Sequence, residues 1–365
     1  MIDVASFFWD PKPEIFIIPW LNVPILWYGV LFALGFILGF PILVGIFHRF
    51  FLLRPTFTAR EIIGNWNHSE FAEEAKKGNV PLCKALNEWL VSNKPVEIKL
   101  SKKEAAFAAK SLHPEQAVKR LKIEALLPTA ILTLKKQAVF LVDRLVVYVV
   151  IATIVGARLG HYFFYERPSE YLRNPLEILQ VWKGGLASHG AAIAIALALG
   201  LFIYRYKKIG RELSWLHLLD FVCVPTALAA VFIRIGNFFN QEILGTITGV
   251  SWAVIFGHPA DHSLPAPRHP VQLYEAFFYA VVFLILWRLS FRLKYLMMPG
   301  KLFGLFLTLV FGFRFLVEYW KIEQSHLIST ALTMGQILSI PAVLIGVFLI
   351  FFEGKLLSNR TFSKR

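Results

Sequence analysis

The chain has 365 residues, of which 56% are hydrophobic, and its mean hydropathy is +0.58. Soluble domains are about 45–50% apolar, so the composition excludes an ordinary soluble domain and predicts a polytopic membrane protein. The formal net charge of +14 would suit nucleic-acid binding, but no basic and aromatic surface module is visible. In a membrane protein the positions of the basic residues carry more information than their sum.

Seven apolar segments, completed by their flanks, are long enough to predict membrane-spanning helices. They cover residues 25–47, 139–157, 191–204, 218–233, 276–287, 302–317 and 337–352. Asp3, Asp10 and Glu14 precede the first segment where a signal peptide would carry basic residues, so we expect no cleaved signal peptide. The sequence therefore predicts an all-α protein with about seven transmembrane helices.

The basic clusters alternate along the chain. They follow the first, third, fifth and seventh apolar segments, at residues 48–54, 204–211, 287–294 and 355–365. Basic residues can anchor helices at both membrane faces, but alternation over four connections favours the positive-inside rule. We therefore expect the N-terminus outside and the C-terminus in the cytoplasm.

Residues 55–137 differ in composition from their surroundings, with more Lys, Glu, Ala and Asn and several prolines. We interpret them as a small helical insertion in the cytoplasm. It divides residues 1–54, with the first helix, from residues 138–365, with the remaining helices and the catalytic core. A solvated domain without chemistry is the simplest interpretation, and a regulatory or docking role stays open.

The two cysteines do not predict a disulfide. Cys83 lies in the insertion and Cys223 in an apolar segment, so they occupy different environments. No cluster of Cys, His, Asp and Glu has the spacing of a metal site, and we expect no metal.

Arg234 is the most informative single residue, because it ends an apolar segment where a charge is costly without a partner or a function. On a continued helix, Asn237 and Gln241 would share its face. Such a polar face with a fixed cation suits a lipid phosphate. The alternative is a structural ion pair of Arg234 with Glu242 or Glu275.

Other polar residues fall at the same predicted depth on the outer side. His189 opens the third segment, where the helix dipole favours a neutral imidazole that can accept a proton; a packed structural histidine is the alternative. Arg314 and Glu318 are four residues apart on one predicted helix and can pair with each other. Tyr28 and Tyr274 open two further segments, where aromatic residues commonly anchor a helix at the interface. Convergence from distant segments favours a site.

With these residues, the chain resembles the bacterial prolipoprotein diacylglyceryl transferases. The family signature is matched by Arg234, Gly236, Asn237, Phe238, Asn240, Glu242 and Gly245. Further matches are Trp27–Gly29, Gly184–Gly185 with Ser188–Gly190, His269–Pro270 with Gln272–Glu275, Phe313–Phe315 with Glu318, and Met334–Ser339. Two positions depart from the pattern: Ile233 replaces the leading Gly, and Val310 replaces a common Tyr. Residues 55–137 lie outside the resemblance.

The resemblance implies transfer of a diacylglyceryl group from phosphatidylglycerol to the lipobox cysteine of a prolipoprotein signal peptide, releasing glycerol 1-phosphate. It implies an inner-membrane enzyme without a cofactor, with its site toward the periplasmic side. The implied catalytic residues are His189, as base or positioning donor, Arg234 and Arg314. The implied substrate-binding residues are Tyr28, Arg234, Asn237, Asn240, Glu242, Gly245, Tyr274 and Glu318. A transporter or flippase of an anionic lipid or solute remains the alternative, although no inverted repeat is visible.

Overall fold

The computed structural model describes residues 7–20, 23–53, 134–165, 187–206, 213–322 and 332–356. Helices dominate this part of the chain. They are α1 Trp27–Leu53, α2 Leu134–Tyr165, α3 Ser188–Tyr206, α4 Trp215–Phe239, α5 Val271–Ser290, α6 Leu293–Met297, α7 Lys301–Val317 and α8 Met334–Leu356. Six of them, α1, α2, α4, α5, α7 and α8, are long and apolar enough to cross a membrane, and α3 contains a shorter apolar stretch, Gly190–Tyr206. The predicted all-α polytopic class is confirmed.

Five short strands were not predicted. They are β1 Phe7–Trp9, β2 Glu14–Ile18, β3 Val23–Leu26, β4 Val254–Phe256 and β5 Pro267–Arg268. Residues 25–26, predicted as the start of the first helix, pair with β2 in an antiparallel hairpin instead. At the other boundary, α2 begins four residues before residue 138. Residues 54–133, which hold almost all of the predicted insertion, lie outside the described residues, so the insertion stays a prediction.

The chain divides into two compact units. The second unit, Val44–Leu219, contains α2 packed along α3. Gly156 lies against Ala194, and Gly160 lies against Gly190, so closely that an added Cβ would clash with the facing helix. Small residues four apart allow such close approach of membrane helices. The glycines at 156 and 160 therefore bring α2 and α3 into close contact.

The first unit, Met1–Leu43 with Asp220–Arg365, contains the start of α1, most of α4 and all of α5, α7 and α8. A Cβ added to Gly35 of α1 would lie 2.9 Å from Cβ of Ala229 in α4. Nearer the other end of the same contact, a Cβ on Gly236 would lie 2.7 Å from the Tyr28 ring. The two helices therefore pack antiparallel and in close contact.

Asp220, which is 1% exposed, caps the start of α7. Its carboxylate accepts hydrogen bonds from the backbone N–H groups of Gly300 and Phe303, both at 2.7 Å. A carboxylate at a helix N-terminus satisfies orphan donors and interacts favourably with the dipole. This cap ties α7, which carries Arg314, to the beginning of α4.

A small sheet packs on the end of α4. Strand β4 pairs parallel with β1 and antiparallel with β5. Its apolar side contributes to a cluster of Phe238, Leu244, Val254 and Phe256, against which Trp9 and Ile322 pack. The sheet therefore supports the chain immediately after α4.

Candidate functional site

The signature residues lie on the last turns of α4 and on the loop that follows. Arg234 and Asn237 are helical, but α4 ends at Phe239, and Gln241 has a positive φ of 52°. The expectation that Gln241 shares the face of Arg234 is therefore wrong. Its side chain instead donates a hydrogen bond to Asp10 and accepts one from the backbone N–H of His258. These contacts direct it away from the helix face.

A chain of hydrogen bonds connects the signature residues. Arg234 Nη1 donates to Asn237 Oδ1 at 3.1 Å, and Asn237 Nδ2 donates to Glu242 Oε1 at 2.7 Å. Asn240 Nδ2 donates to the same carboxylate oxygen at 3.3 Å. Gln272 Nε2 on α5 donates to the Glu242 backbone carbonyl at 2.7 Å. Residues from the helix, the loop and α5 are thus fixed around Glu242.

Glu275 on α5 is fully buried and lies between two cations. Its Oε2 is 3.1 Å from Arg234 Nε, and its Oε1 is 3.0 Å from Lys321 Nζ. Tyr279 also donates its hydroxyl to Oε1 at 3.0 Å. Of the two structural partners considered for Arg234, Glu275 is confirmed as the direct ion pair, and Glu242 is reached through Asn237.

The expected pair of Arg314 and Glu318 does not form. Helix α7 ends at Val317, Glu318 begins a 3-10 turn, and its Oε2 is 3.5 Å from Lys321 Nζ. Arg314 Nε is buried and has no hydrogen bond to any described residue. Arg314 nevertheless interacts electrostatically with both Tyr279 and Lys321, so it belongs to the same polar group.

We call Arg234, Glu275, Arg314, Glu318 and Lys321 the charged cluster. It contains three cations and two carboxylates. Three of its buried atoms, Glu275 Oε2, Arg314 Nε and Glu318 Oε2, lack a hydrogen bond within the described part of the chain, as does Oδ1 of the neighbouring Asn240. Buried polar groups are nearly always satisfied, so unsatisfied atoms of both kinds, beside an excess of positive charge, favour a polar anionic ligand.

Two further predicted site residues lie beside the charged cluster or its supporting segments. The Tyr28 ring lies against Gly236 and interacts electrostatically with Glu242 and Arg234, so it borders the charged cluster. Gly245 packs against the His269 backbone with no space for a Cβ, and it bridges to Lys321. A side chain at Gly245 would therefore push apart the segments that carry the site.

Tyr274 joins a different polar group. Its hydroxyl accepts a hydrogen bond from Trp252 Nε1 at 2.7 Å and lies 3.2 Å from His269 Nδ1. Among the described residues, no side-chain hydrogen bond or ion pair joins Tyr274 to the charged cluster. Its connection runs through His269, whose backbone packs on Gly245.

His189 lies in the first turn of α3, as predicted. It belongs to the second unit, and its side chain lies outside the described residues. Its catalytic role therefore stays a prediction.

Four residues of the site were not predicted as members: Gln272, Glu275, Tyr279 and Lys321. The first three recur at spacings of three and four residues on α5, which puts them on one helix face. A polar stripe on an otherwise apolar helix was the signal that could have identified them. Lys321 follows Glu318 by three residues, but only the turn after α7 brings the two together.

Comparison with known proteins shows the family of the chain. The profile of the family described as prolipoprotein diacylglyceryl transferase matches residues 123–352. A phosphatidylglycerol–prolipoprotein diacylglyceryl transferase of Protochlamydia amoebophila is 41% identical over 359 residues, covering 95% of each chain. Proteins of the same name from Tolumonas auensis and Chlamydia pneumoniae are 46% and 40% identical, over 58% and 59% of this chain and 79% and 75% of their own. The chain therefore belongs to the prolipoprotein diacylglyceryl transferase family.

Proposed function

We propose that the protein transfers the diacylglyceryl group of phosphatidylglycerol to the lipobox cysteine of bacterial prolipoproteins and releases glycerol 1-phosphate. The observation that carries the proposal is the charged cluster, in which Arg314 Nε is buried without a hydrogen bond among the described residues. The names of the relatives supply the substrates. Family membership favours this reaction over transport of an anionic lipid.

The reaction forms one bond and breaks one. The cysteine sulfur attacks the glyceryl carbon that carries the phosphate ester, a C–S bond forms, and the C–O bond to phosphate breaks. The bonding electrons leave on the phosphate oxygen, and the thiol proton passes to a base or to the departing phosphate. A free thiol has a pKa of about 8.5, so removal of its proton aids the attack.

The departing phosphate gains negative charge, which fixed cations stabilise most when they are pre-organised in a water-poor site. Arg314 is the best placed to bind it, because its Nε has no hydrogen bond to another described residue. Arg234 is held by Glu275 and Asn237 and adds a second positive charge in a fixed orientation. Lys321 and Glu318 complete the charge balance around them.

The polar residues around Glu242 would hold the glycerol headgroup. Asn237 and Asn240 already point their amides at Glu242, and Tyr28 borders the same carboxylate. Hydroxyl groups of phosphatidylglycerol can donate to a carboxylate and accept from amides. Gly245 and Tyr274 support this region from the side of His269.

His189 would either accept the thiol proton or orient a substrate. A neutral imidazole can do both, and its place at the first turn of α3 favours the neutral form. The alternation of basic clusters supports a site that faces the outer side of the bacterial plasma membrane.

A direct test incubates the purified protein with labelled phosphatidylglycerol and a lipobox peptide in detergent. We expect mass spectrometry to detect a peptide with one diacylglyceryl group, and the aqueous phase to contain glycerol phosphate in equal amount. A peptide whose cysteine is replaced by serine is the control and should stay unmodified. Binding of the lipid without any adduct would instead support a transport protein.

A further inference from the structure

An N-terminal segment, residues 7–10, holds the loop that follows α4. Trp9 donates from Nε1 to the Phe238 carbonyl at 3.1 Å, and its ring stacks on Phe238 with centroids 4.8 Å apart. The next residue, Asp10, accepts a hydrogen bond from Gln241 Nε2 at 3.1 Å. Neither Trp9 nor Asp10 belongs to the charged cluster. Their contacts instead stabilise the end of α4 and the loop that follows it.

The loop contains two residues in an unfavourable backbone conformation. Gln241 and Ile243 have φ angles of 52° and 56°, in the left-handed region that side chains with a Cβ rarely adopt. Glu242, which accepts the amides of Asn237 and Asn240, lies between them. Such conformations persist only where the surrounding structure enforces them.

The hydrogen bonds of Gln241 show how the surrounding structure holds this backbone conformation. Gln241 is 2% exposed, and its Oε1 accepts from the backbone N–H of His258 at 2.8 Å. Its own carbonyl accepts from Ala260 at 3.0 Å. Asp10 accepts a hydrogen bond from the side-chain amide of Gln241, which would otherwise lack this partner. If Gln241 relaxed to a negative φ, the following peptide would rotate and Glu242 would turn away from its amides.

We propose that Asp10 is a positioning residue for the lipid headgroup: it holds Gln241 in its left-handed conformation and thereby orients Glu242. The inference rests on the proposed transferase function. Asp10 acts through Gln241 and does not itself contact the substrate. His258 Nδ1 lies 2.6 Å from the same Asp10 oxygen; this contact, with that of Gln241, lowers the pKa of the Asp10 carboxyl below its ordinary value.

The first test compares Asp10→Ala with Asp10→Asn in the transfer assay. We expect Asp10→Ala to raise KM for phosphatidylglycerol about tenfold and to leave KM for the lipobox peptide unchanged, because only headgroup contacts are loosened. Asp10→Asn keeps an acceptor oxygen for Gln241 and should stay within about threefold of wild type. A purely structural defect would reduce the active fraction, which lowers kcat without changing either KM.

A second variant displaces Asp10 without removing it. A Cβ added to Gly257 would lie 2.5 Å from the Asp10 carboxyl carbon, and the Gly257 backbone is not in the left-handed region, so alanine suits its conformation. Gly257→Ala should therefore reproduce the KM effect of Asp10→Ala. Gly249→Ala, which adds a methyl group in open space, and Glu14→Ala, which removes an exposed carboxylate from the neighbouring strand β2, are the matched controls.

Hydrogen exchange separates this inference from the proposed function. The Glu242 N–H donates to the Asn237 carbonyl at 3.0 Å, and we expect its exchange to be about tenfold faster in Asp10→Ala and in Gly257→Ala. If wild type makes no thioether product, the proposed function fails and the exchange data alone decide the role of Asp10. Wild-type exchange and wild-type KM in both variants, or equal defects in Asp10→Ala and Asp10→Asn, would overturn the inference.

Discussion

Glu275 is the residue around which the candidate site is arranged. It is completely buried and pairs with Arg234 and Lys321 while accepting the Tyr279 hydroxyl. Removing one member of a buried charged group leaves the others uncompensated, which costs about 3–5 kcal/mol. For each substitution in the charged cluster, protein stability should therefore be measured together with activity.

Arg234→Lys tests whether the guanidinium geometry matters. Arg234 uses Nε toward Glu275 and Nη1 toward Asn237, and a single ammonium cannot make both contacts in the same geometry. We expect the transfer rate to fall by at least about 100-fold, the scale seen when one group that stabilises developing charge is lost. Arg288→Lys, at an exposed position on α5, is the control. Near-wild-type transfer by Arg234→Lys at equal protein level would argue against its role.

His189→Asn distinguishes a base from a positioning donor. Asparagine keeps a hydrogen-bond donor but cannot accept the thiol proton as imidazole does. If His189 is the base, turnover should fall about 100-fold or more while lipid binding stays near wild type. The measurement is single-turnover transfer together with binding of labelled phosphatidylglycerol. Parallel loss of binding and turnover would assign His189 a positioning role.

Single residues could be recognised from the sequence more readily than their partners. Arg234 and Glu318 were recognisable because a charged residue next to an apolar segment is unusual. Their partners depend on where a helix stops. Helix α4 ends at Phe239 and α7 at Val317, and these endings direct Gln241 away from the site and bring Lys321 to Glu318. Helix boundaries are the part of a sequence reading that is least secure.

At the scale of elements, α8 provides a test that separates activity from stability. Two of its glycines face different neighbours. A Cβ at Gly335 would lie 2.5 Å from the Glu318 carboxylate, the end of a flexible side chain. A Cβ at Gly346 would lie 2.7 Å from the Gly304 carbonyl and 2.8 Å from the Thr308 backbone nitrogen, which cannot move without shifting α7.

Gly335→Ala should therefore act on the site and Gly346→Ala on the fold. We expect Gly335→Ala to lower transfer about 10- to 100-fold, because a displacement of about 1 Å can have that effect, with little change in melting temperature. Gly346→Ala should destabilise the protein by about 1–3 kcal/mol through overpacking. Thermal unfolding in detergent measures the stability of each variant, and the transfer assay measures its activity. The reverse assignment of the two effects would contradict the placement of Glu318.

The elements themselves were largely predictable, because each apolar segment contains at most two charged residues. The strands were not. Strand β1 pairs with β4, nearly 250 residues later in the sequence, and three-residue strands carry too little alternation to be recognised. Their contribution to the site, through Trp9 and Asp10, was hidden for the same reason.

At the scale of the whole molecule, the 41% identity with the Protochlamydia amoebophila protein extends over 95% of both chains. That share can be reached only if most of residues 55–137 are included. The Tolumonas auensis protein aligns over only 58% of this chain. Most of residues 55–137 therefore have aligned counterparts in at least one relative. A prediction of the topology must include them.

We expect residues 55–137 and the C-terminus to face the cytoplasm, because basic clusters follow the odd-numbered segments. The test uses a variant without Cys83 and Cys223 that carries one new cysteine, at Asn93, Asn359 or Gly249. In intact cells an impermeant thiol reagent should label only the Gly249→Cys protein, whose exposed position lies in the predicted outer region. Labelling at Asn93→Cys or Asn359→Cys before the membrane is opened would reverse the orientation.

The close contact of α1 with α4 limits how these two helices can diverge. The seven residues that separate Tyr28 from Gly35 on α1 equal the seven that separate Gly236 from Ala229 on α4, so both contacts belong to one register. Seven residues are roughly 10 Å of helix. A larger side chain at Gly35 would push α1 away from α4. Because a helix is stiff over this length, the displacement would extend to Tyr28 at the site. Sequence change at Gly35 should be accepted only with a compensating reduction at Ala229, and the two positions are expected to evolve as a pair.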